Sequence, residues 1–547
     1  MSVHRDVCLG FVFATAIAGC GSGSTPYWDT QVAATTSAGL SAGVALIDDA
    51  DHRVVMITAT ADQNLTAQSL SVGHNVATTA TSSDGTTLLV LSSGDADSTS
   101  AEGSPSLTTI RVAPPLVTST SYAMSQPCTM LAVDPMGHWA VAYKQTGFVE
   151  NQNELVIFDL TAPPGGVASN KPNPITRTFQ SFGGTPQQLT FTPPLMVDPT
   201  LGPAANGLVN GDRRLLVIQT DIDVSLFDLD HAFDPNPRPE ITVPLTSETN
   251  AQPPTPAGVV VDGFDSTTAA DARLALRTSS GSVVYTFAFG PPAATDMNDF
   301  TPIVNQTDVG GVATDMAFVH ADGGALRLAV LVPGSAAAIL VEPDTGLTTP
   351  VALPQSYSNL SLVTSAVTAG AGSDVALLWN GADASGVALW TLGEAVVQPY
   401  FSIDVPGVSK PIRSVIDVPN SSLKVLEPSD GSGFFVLDLQ SHQVSPLTTA
   451  TAPTLSIAPD GGRIWAFAQG GTELASIDLA TLNPIPLTDT APIDAVYDVA
   501  GPMVDGLATR DLVTLHFQET IGVTVFDALA PDKTPPRHIA PLLLENP

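Results

Sequence analysis

Positive charge is scarce in this chain. Its 547 residues hold 19 Lys and Arg against 53 Asp and Glu, a net charge of −34. Binding to phosphate backbones depends on Lys and Arg displacing counterions, so this shortage excludes nucleic acid as a partner. The same charge opposes lying flat on anionic lipid headgroups. Cysteine is nearly missing as well. Cys8 and Cys20 fall close to the N-terminus, and Cys128 stands alone in the body of the chain. No internal disulfide framework can form, and Cys128 is expected to be a small buried apolar residue rather than a nucleophile. There is no H-E-x-x-H or C-x-x-C. None of His52, His74, His138, His231, His320, His442, His516 and His538 lies within four residues of another. Local metal-ligand pairs are therefore absent, and no metal, cofactor or catalytic group is expected. After residue 20 no run of 18 apolar residues occurs, so no helix is expected to cross a bilayer.

What is present begins at the N-terminus with "MSVHRDVCLGFVFATAIAGCGSGS". His4 and Arg5 form a weak basic head, with Asp6 against it. Val7–Gly19 is an apolar run too short for a permanent span of a ~30 Å bilayer core, but suited to a secretory leader. It ends in Ile17-Ala18-Gly19-Cys20. This resembles the lipobox of bacterial lipoproteins, an aliphatic residue and two small ones before an obligatory Cys. The resemblance implies cleavage before Cys20 and acyl chains on it, and multiple chains anchor stably where one does not. Gly rather than Asp at position 21 implies, by the same resemblance, an outer-membrane address. Residues 1–19 are then a signal peptide, 20–34 the lipidated Cys and a flexible Gly/Ser-rich tether, and 35–547 the folded domain.

In that domain one phrase returns: "LVIFDL" (155–160), "VSLFDL" (224–229), "FVLDL" (435–439), "LASIDL" (474–479) and "VTVFDA" (523–528). A second apolar strand precedes most copies, opened by a turn, as in "SSDGTTLLVLSS" (82–93), "DPMGHWAVAYK" (134–144) and "PDGGRIWAFAQ" (459–469). Asp-Gly supplies the positive φ that tight hairpin turns need. The runs are short, β-branched or aromatic, and separated by Pro, Gly, Ser and Thr. Each unit reads as four strands, the third ending in Asp or a stand-in. About ten units follow, their third strands ending near Asp48, Arg111, Asp159, Asp228, Phe287, Glu342, Thr391, Asp438, Asp478 and Asp527. Four short strands per 40–50 residues is the pattern of a β-propeller blade. The chain resembles bacterial YVTN-type and WD-like propellers over roughly residues 35–545. The expected fold is all-β, with four-stranded antiparallel blades. Since propellers usually have 4–8 blades, one ring of seven or eight is expected, with the surplus units as insertions.

Several residues invite a functional reading. Asp159, Asp228, Asp438, Asp478 and Asp527 are placed to accept backbone N–H bonds in the turn to the fourth strand, and are read as turn formers rather than a ring of metal ligands. "GLSAG" (39–43) matches G-x-S-x-G, but a nucleophile elbow needs a strand-to-helix turn, and "VALIDD" (44–49) follows it; Ser41 is not expected to be a nucleophile. The acidic stretches "DDAD" (48–51) and "TDIDVSLFDLDH" (220–231) lack the calcium-loop pattern. Asp221, Asp223, Asp228 and Asp230 are read as solvated loop charge. Trp139, Trp379 and Trp465 occupy equivalent second strands and are expected to pack between blades.

These readings converge on a lipid-anchored, extracytoplasmic propeller of the outer membrane. It would be a non-catalytic binding or scaffold protein, with a protein or polysaccharide partner. The competing expectation is a propeller enzyme, hydrolase- or lactonase-like, with a metal-assisted site gathered in the axial channel. The anchor is testable first. Wild type should partition into detergent when expressed in a Gram-negative host, and Cys20→Ala should stay aqueous; equal partitioning of the two would rule out the lipobox.

Overall fold

The computed structural model describes residues 32–539, apart from 35, 60–64, 96–102, 114–115, 146–152, 166–171, 182–183, 193–194, 197–211, 230–231, 233–239, 246–254, 263–271, 290–302, 322–324, 354, 364–374, 381–386, 392–400, 404–410, 430–432, 442, 448–453, 505–506 and 518–520. Cys20 and the leader lie outside the described residues, as do Asp230, His231 and His442. No α-helix occurs among those described. The strands form ten four-stranded antiparallel sheets in chain order. They are blades 1 (36–71), 2 (76–123), 3 (130–178), 4 (186–244), 5 (256–308), 6 (315–352), 7 (359–403), 8 (412–447), 9 (454–488) and 10 (495–539). The ten sequence units are thus ten blades. The ring exceeds the expected seven or eight, and none of the units is an insertion. A small extra hairpin, Leu195–Met196 with Asp212–Arg213, branches from blade 4.

Period-two alternation explains how an apolar strand serves two neighbours at once. In the second strand of blade 3, Trp139–Tyr143, the side chains of Trp139, Val141 and Tyr143 join the core shared with blade 4. Ala140 and Ala142 join the core shared with blade 2. The next strand, Glu154–Asp159, divides likewise: Leu155 and Ile157 to one side, Val156 and Phe158 to the other. Among the described residues each interface between consecutive blades holds such a cluster. The remaining cluster joins blade 10 to blade 1, through Val513, Val523 and Val525 against Val44, Leu46 and Val55. Fully burying one such side chain contributes ~1.5–3 kcal/mol. First strands of neighbouring blades lie against one another and so line the axis.

Trp139, Trp379 and Trp465 pack between blades, as expected. Trp465 is wholly buried, and its indole N–H donates to Asp498 Oδ2 at 2.9 Å. Cys128 is buried in the core between blades 2 and 3, and burial pushes its thiol up to about 12, far from a reactive thiolate.

Two boundaries differ from expectation. Asp48 ends the second strand of blade 1, Gly43–Asp48, not the third, which is Arg53–Ala59. The first strand, Thr36–Leu40, reads "TSAGL", too small and polar to register as a strand in the pattern. Residues 32–34, counted in the tether, pack into the seam between blades 10 and 1, where Val32 and Ala34 are buried. Ala33 donates its N–H to Asp48 Oδ2 at 3.1 Å. Asp48 is in turn paired at 2.9 Å with the buried Arg53, which also reaches Asp51.

The tight turns between first and second strands carry the glycines that the sequence pattern singled out. Gly137 has φ 71° and Gly461 φ 73°. A Cβ on Gly137 would meet nothing within 4 Å, whereas one on Gly461 would lie 1.8 Å from the Pro419 carbonyl oxygen in the matching turn of blade 8. Gly137→Ala is therefore expected to cost about 1–2 kcal/mol of backbone strain. Gly461→Ala should cost about 1–3 kcal/mol more, because the blades must part. Denaturant midpoints measure the difference; equal losses would mean that the close approach is unimportant.

Candidate functional sites on the two faces of the ring

Strand direction gives the ring two unlike faces. One carries the hairpin turns between first and second strands and between third and fourth. The other carries the turns between second and third strands and the linkers from blade to blade.

On the hairpin face the recurrent Asp residues form turns. Asp159 Oδ1 accepts Thr161 N–H at 2.9 Å, Asp438 Oδ1 accepts Gln440 N–H at 2.9 Å, Asp478 Oδ1 accepts Ala480 N–H at 2.9 Å, and Asp527 Oδ1 accepts Leu529 N–H at 2.9 Å. Asp228 is buried at the end of its strand. Ser41 sits in the tight turn between Leu40 and Gly43 and donates its N–H to the Gly85 carbonyl at 2.8 Å. This is a hairpin, not a nucleophile elbow.

The same face holds a cleft of about 480 Å³ between blades 2 and 3. Its walls are rich in hydroxyls, among them Ser82, Thr86, Thr109, Thr118, Thr120 and Thr161, with Tyr122 and His138. Ser83 donates to the Pro135 carbonyl and ties the two walls together. Asp84 is held below the usual carboxylate range by the Ser82 hydroxyl at 2.6 Å and the Thr86 N–H at 2.9 Å. His138 Nδ1 faces the Arg214 guanidinium. The Arg111 side chain, exposed in the cleft, forms no hydrogen bond or close ion pair among the described residues, though its charge helps to hold Asp84 low. The sequence pattern marked Arg111 only as a stand-in for the turn-forming Asp.

On the linker face the structure brings together histidines that are distant in sequence. His52 and His74 stack with ring centroids 3.6 Å apart, and His74 Nδ1 lies 2.6 Å from Asp95 Oδ2. That hydrogen bond holds Asp95 below the usual carboxylate range. Between blades 9 and 10, Asp489, His516 and His538 converge, with one ligand atom of each within 4.8 Å of the others. Asp489 lies just after the fourth strand of blade 9, Pro484–Thr488. His516 ends the second strand of blade 10, Leu507–His516, and His538 sits in its fourth, Arg537–Ile539. The group is off the axis, on middle and outer strands. Sequence spacing had grouped none of these three residues.

No protein-family model and no curated protein matches this chain. Among solved structures, a dihydro-heme d1 dehydrogenase NirN in complex with DHE aligns over 83% of this chain and 74% of its own, at 10% identity and TM-score 0.39. A eukaryotic initiation factor aligns over 89% and 93%, at 10% and 0.44. Apo AztD from Citrobacter koseri aligns over 81% and 94%, at 12% and 0.32. These likenesses carry nothing about function.

The acidic stretch in blade 4 is occupied by the protein's own donors. Asp221 Oδ1 accepts the Thr185 N–H at 2.8 Å. Asp223, buried, accepts the Ser181 and Thr220 hydroxyls at 2.8 Å and 2.5 Å. Glu240, opening the fourth strand of this blade, is the strained member. Burial pushes its carboxyl up to about 7, with the Asp223 charge adding to the rise against the hydrogen bond from Gln180. The fold thus holds a proton that the unfolded chain releases near 4.5. The stability linked to it is complete below that pH and is lost as pH rises through about 7. Glu240→Gln keeps the acceptor for Gln180 and removes the titration. It should melt ~1–3 °C above wild type at pH 8 and together with it at pH 4.5. An equal offset at both pH values would contradict the assignment.

Proposed function

We propose that this chain is a lipid-anchored binding propeller of the bacterial envelope, tethered through Cys20, with a ligand seat in the cleft between blades 2 and 3. The "IAGC" motif supports the anchor and, with Gly21, the outer-membrane address. The observation that carries the binding role is the cleft: a hydroxyl-rich hollow of about 480 Å³ with one Arg free of ion pairs among the described residues, in a chain of net charge −34. Hydroxyl walls match the hydroxyls of a sugar. A guanidinium forks onto a carboxylate or phosphate in two parallel hydrogen bonds. An acidic polysaccharide is the ligand class that uses both features.

A metal-assisted reading has its own observation in Asp489, His516 and His538, a three-residue set of the kind that open metal sites use. That group lies between two blades rather than in the axial channel, and no cleft residue belongs to it.

The cleft is tested by calorimetric titration with a uronic-acid oligosaccharide and its neutral analogue. Wild type should prefer the acidic chain, and Arg111→Ala should lose about tenfold or more of its affinity, the order of one charge-assisted hydrogen bond. Equal affinity for both oligosaccharides, or no effect of the substitution, would place the ligand elsewhere.

A further inference from the structure

The group between blades 9 and 10 is built around a buried carboxylate. Asp489 is 4% exposed and makes no ion pair with Lys or Arg among the described residues. Its Oδ1 accepts the Thr490 N–H at 2.6 Å and the Thr524 hydroxyl at 2.7 Å; its Oδ2 accepts the Thr514 hydroxyl. All of these donors are neutral, and a buried carboxylate left with neutral donors is costly.

The imidazoles are aimed at it. His516 Nδ1 lies 2.7 Å from the Pro492 carbonyl, which can only accept, so Nδ1 carries a proton. Nε2 points inward, 3.5 Å from Asp489 Oδ2. The Thr524 hydroxyl stands in the middle, 2.9 Å from His516 Nε2 and 2.8 Å from His538 Nδ1 as well as against Asp489. It has one proton to offer. Given to Asp489, it leaves His516 Nε2 facing oxygen lone pairs; given to His516, it leaves the carboxylate less compensated.

We propose that Asp489, His516 and His538 bind one divalent transition-metal ion of the zinc class. A tetrahedral ion with bonds of ~2.0–2.1 Å needs ligand atoms about 3.3–3.4 Å apart. The His516–Asp489 separation of 3.5 Å already has that span. The hydrogen bond from His516 Nδ1–H to a backbone carbonyl is the orienting contact that metal-bound histidines usually make, and it fixes the ligating nitrogen. Two imidazole nitrogens and one carboxylate select zinc, cobalt, nickel or copper over calcium and magnesium, which take oxygen. His538 is exposed, so the ion enters from solvent on the linker face. Thr524 turns aside about its Cα–Cβ bond or stays as a neutral fourth ligand. The inference is independent of the cleft, on the opposite face.

The test uses the full chain, purified in detergent and stripped with a chelator. Titration with Co²⁺ should give the visible absorption of a tetrahedral site at one ion per chain, displaced by Zn²⁺. His538→Ala changes an exposed residue and should leave the fold intact, yet lower Zn²⁺ affinity about 100-fold or more, beyond the 10–100-fold typical of lost orienting contacts. Asp489→Asn should do the same, and His320→Ala should not. Zn²⁺ should raise the melting temperature of wild type but not of His538→Ala. If wild type binds no Zn²⁺ up to millimolar, the proposal fails. It fails equally if His538→Ala and Asp489→Asn bind as wild type does, which would move the ion to another site such as His52 and His74.

Discussion

Every blade has to bury both of its faces, and the rest of the structure follows from that requirement. A four-stranded sheet of 35–60 residues has no core of its own. Its second and third strands are apolar at nearly every position because each residue faces one neighbour or the other, as Trp139–Tyr143 shows. A row of such sheets would always leave two apolar faces in water, so the row must close. Closure removes the ends at no cost beyond one more interface of the same kind, that of Val513 and Val525 against Val44 and Leu46.

Polar side chains are accordingly driven to the two rims, where strands end. There they do different work. On the hairpin face they act locally: Asp159, Asp438, Asp478 and Asp527 each close a turn two residues on. On the linker face a chain segment crosses from one blade to the next, and side chains far apart in sequence are brought level. Asp489 therefore meets His516 and His538, and His74 meets His52. Some polar groups buried deeper are paired, as Asp498 is with Trp465 and Arg510.

This division explains what the sequence discloses. Turn chemistry and period-two burial are local, so second and third strands could be read directly: Trp139–Tyr143 and Glu154–Asp159 fall on the runs at 134–144 and 155–160, as Arg463–Phe467 and Glu473–Asp478 do on those at 459–469 and 474–479. The number of units was legible too, but not that all belong to one ring, because ring size depends on the angle between neighbouring sheets and no single unit encodes that. The first strand of blade 1 escaped because Thr36–Leu40 contributes little apolar area. The histidine–carboxylate group was not legible by spacing. Its members sit on separate strands, and only the linker's path over blade 10 makes them neighbours. Arg111 was visible as a residue, but its meaning depends on which hydroxyls blade 3 sets opposite it.

The manner of closure sets this ring apart from one whose last blade borrows a strand from the other end of the chain. Here blade 1 takes all its strands from residues 36–71 and blade 10 all of its own from 495–539. The seam is held by side-chain packing, by Ala500 N–H donating to the Ser41 carbonyl, and by the contact of Ser37 Oγ with Tyr497 Oη. No strand has to be completed by a distant partner, so nothing in the joint counts the blades. Duplication of a whole unit between two linkers would add an interface like the others and leave the seam intact. A ring built this way can lengthen in evolution by copying complete blades, limited only by the range of wedge angles that its interfaces accept.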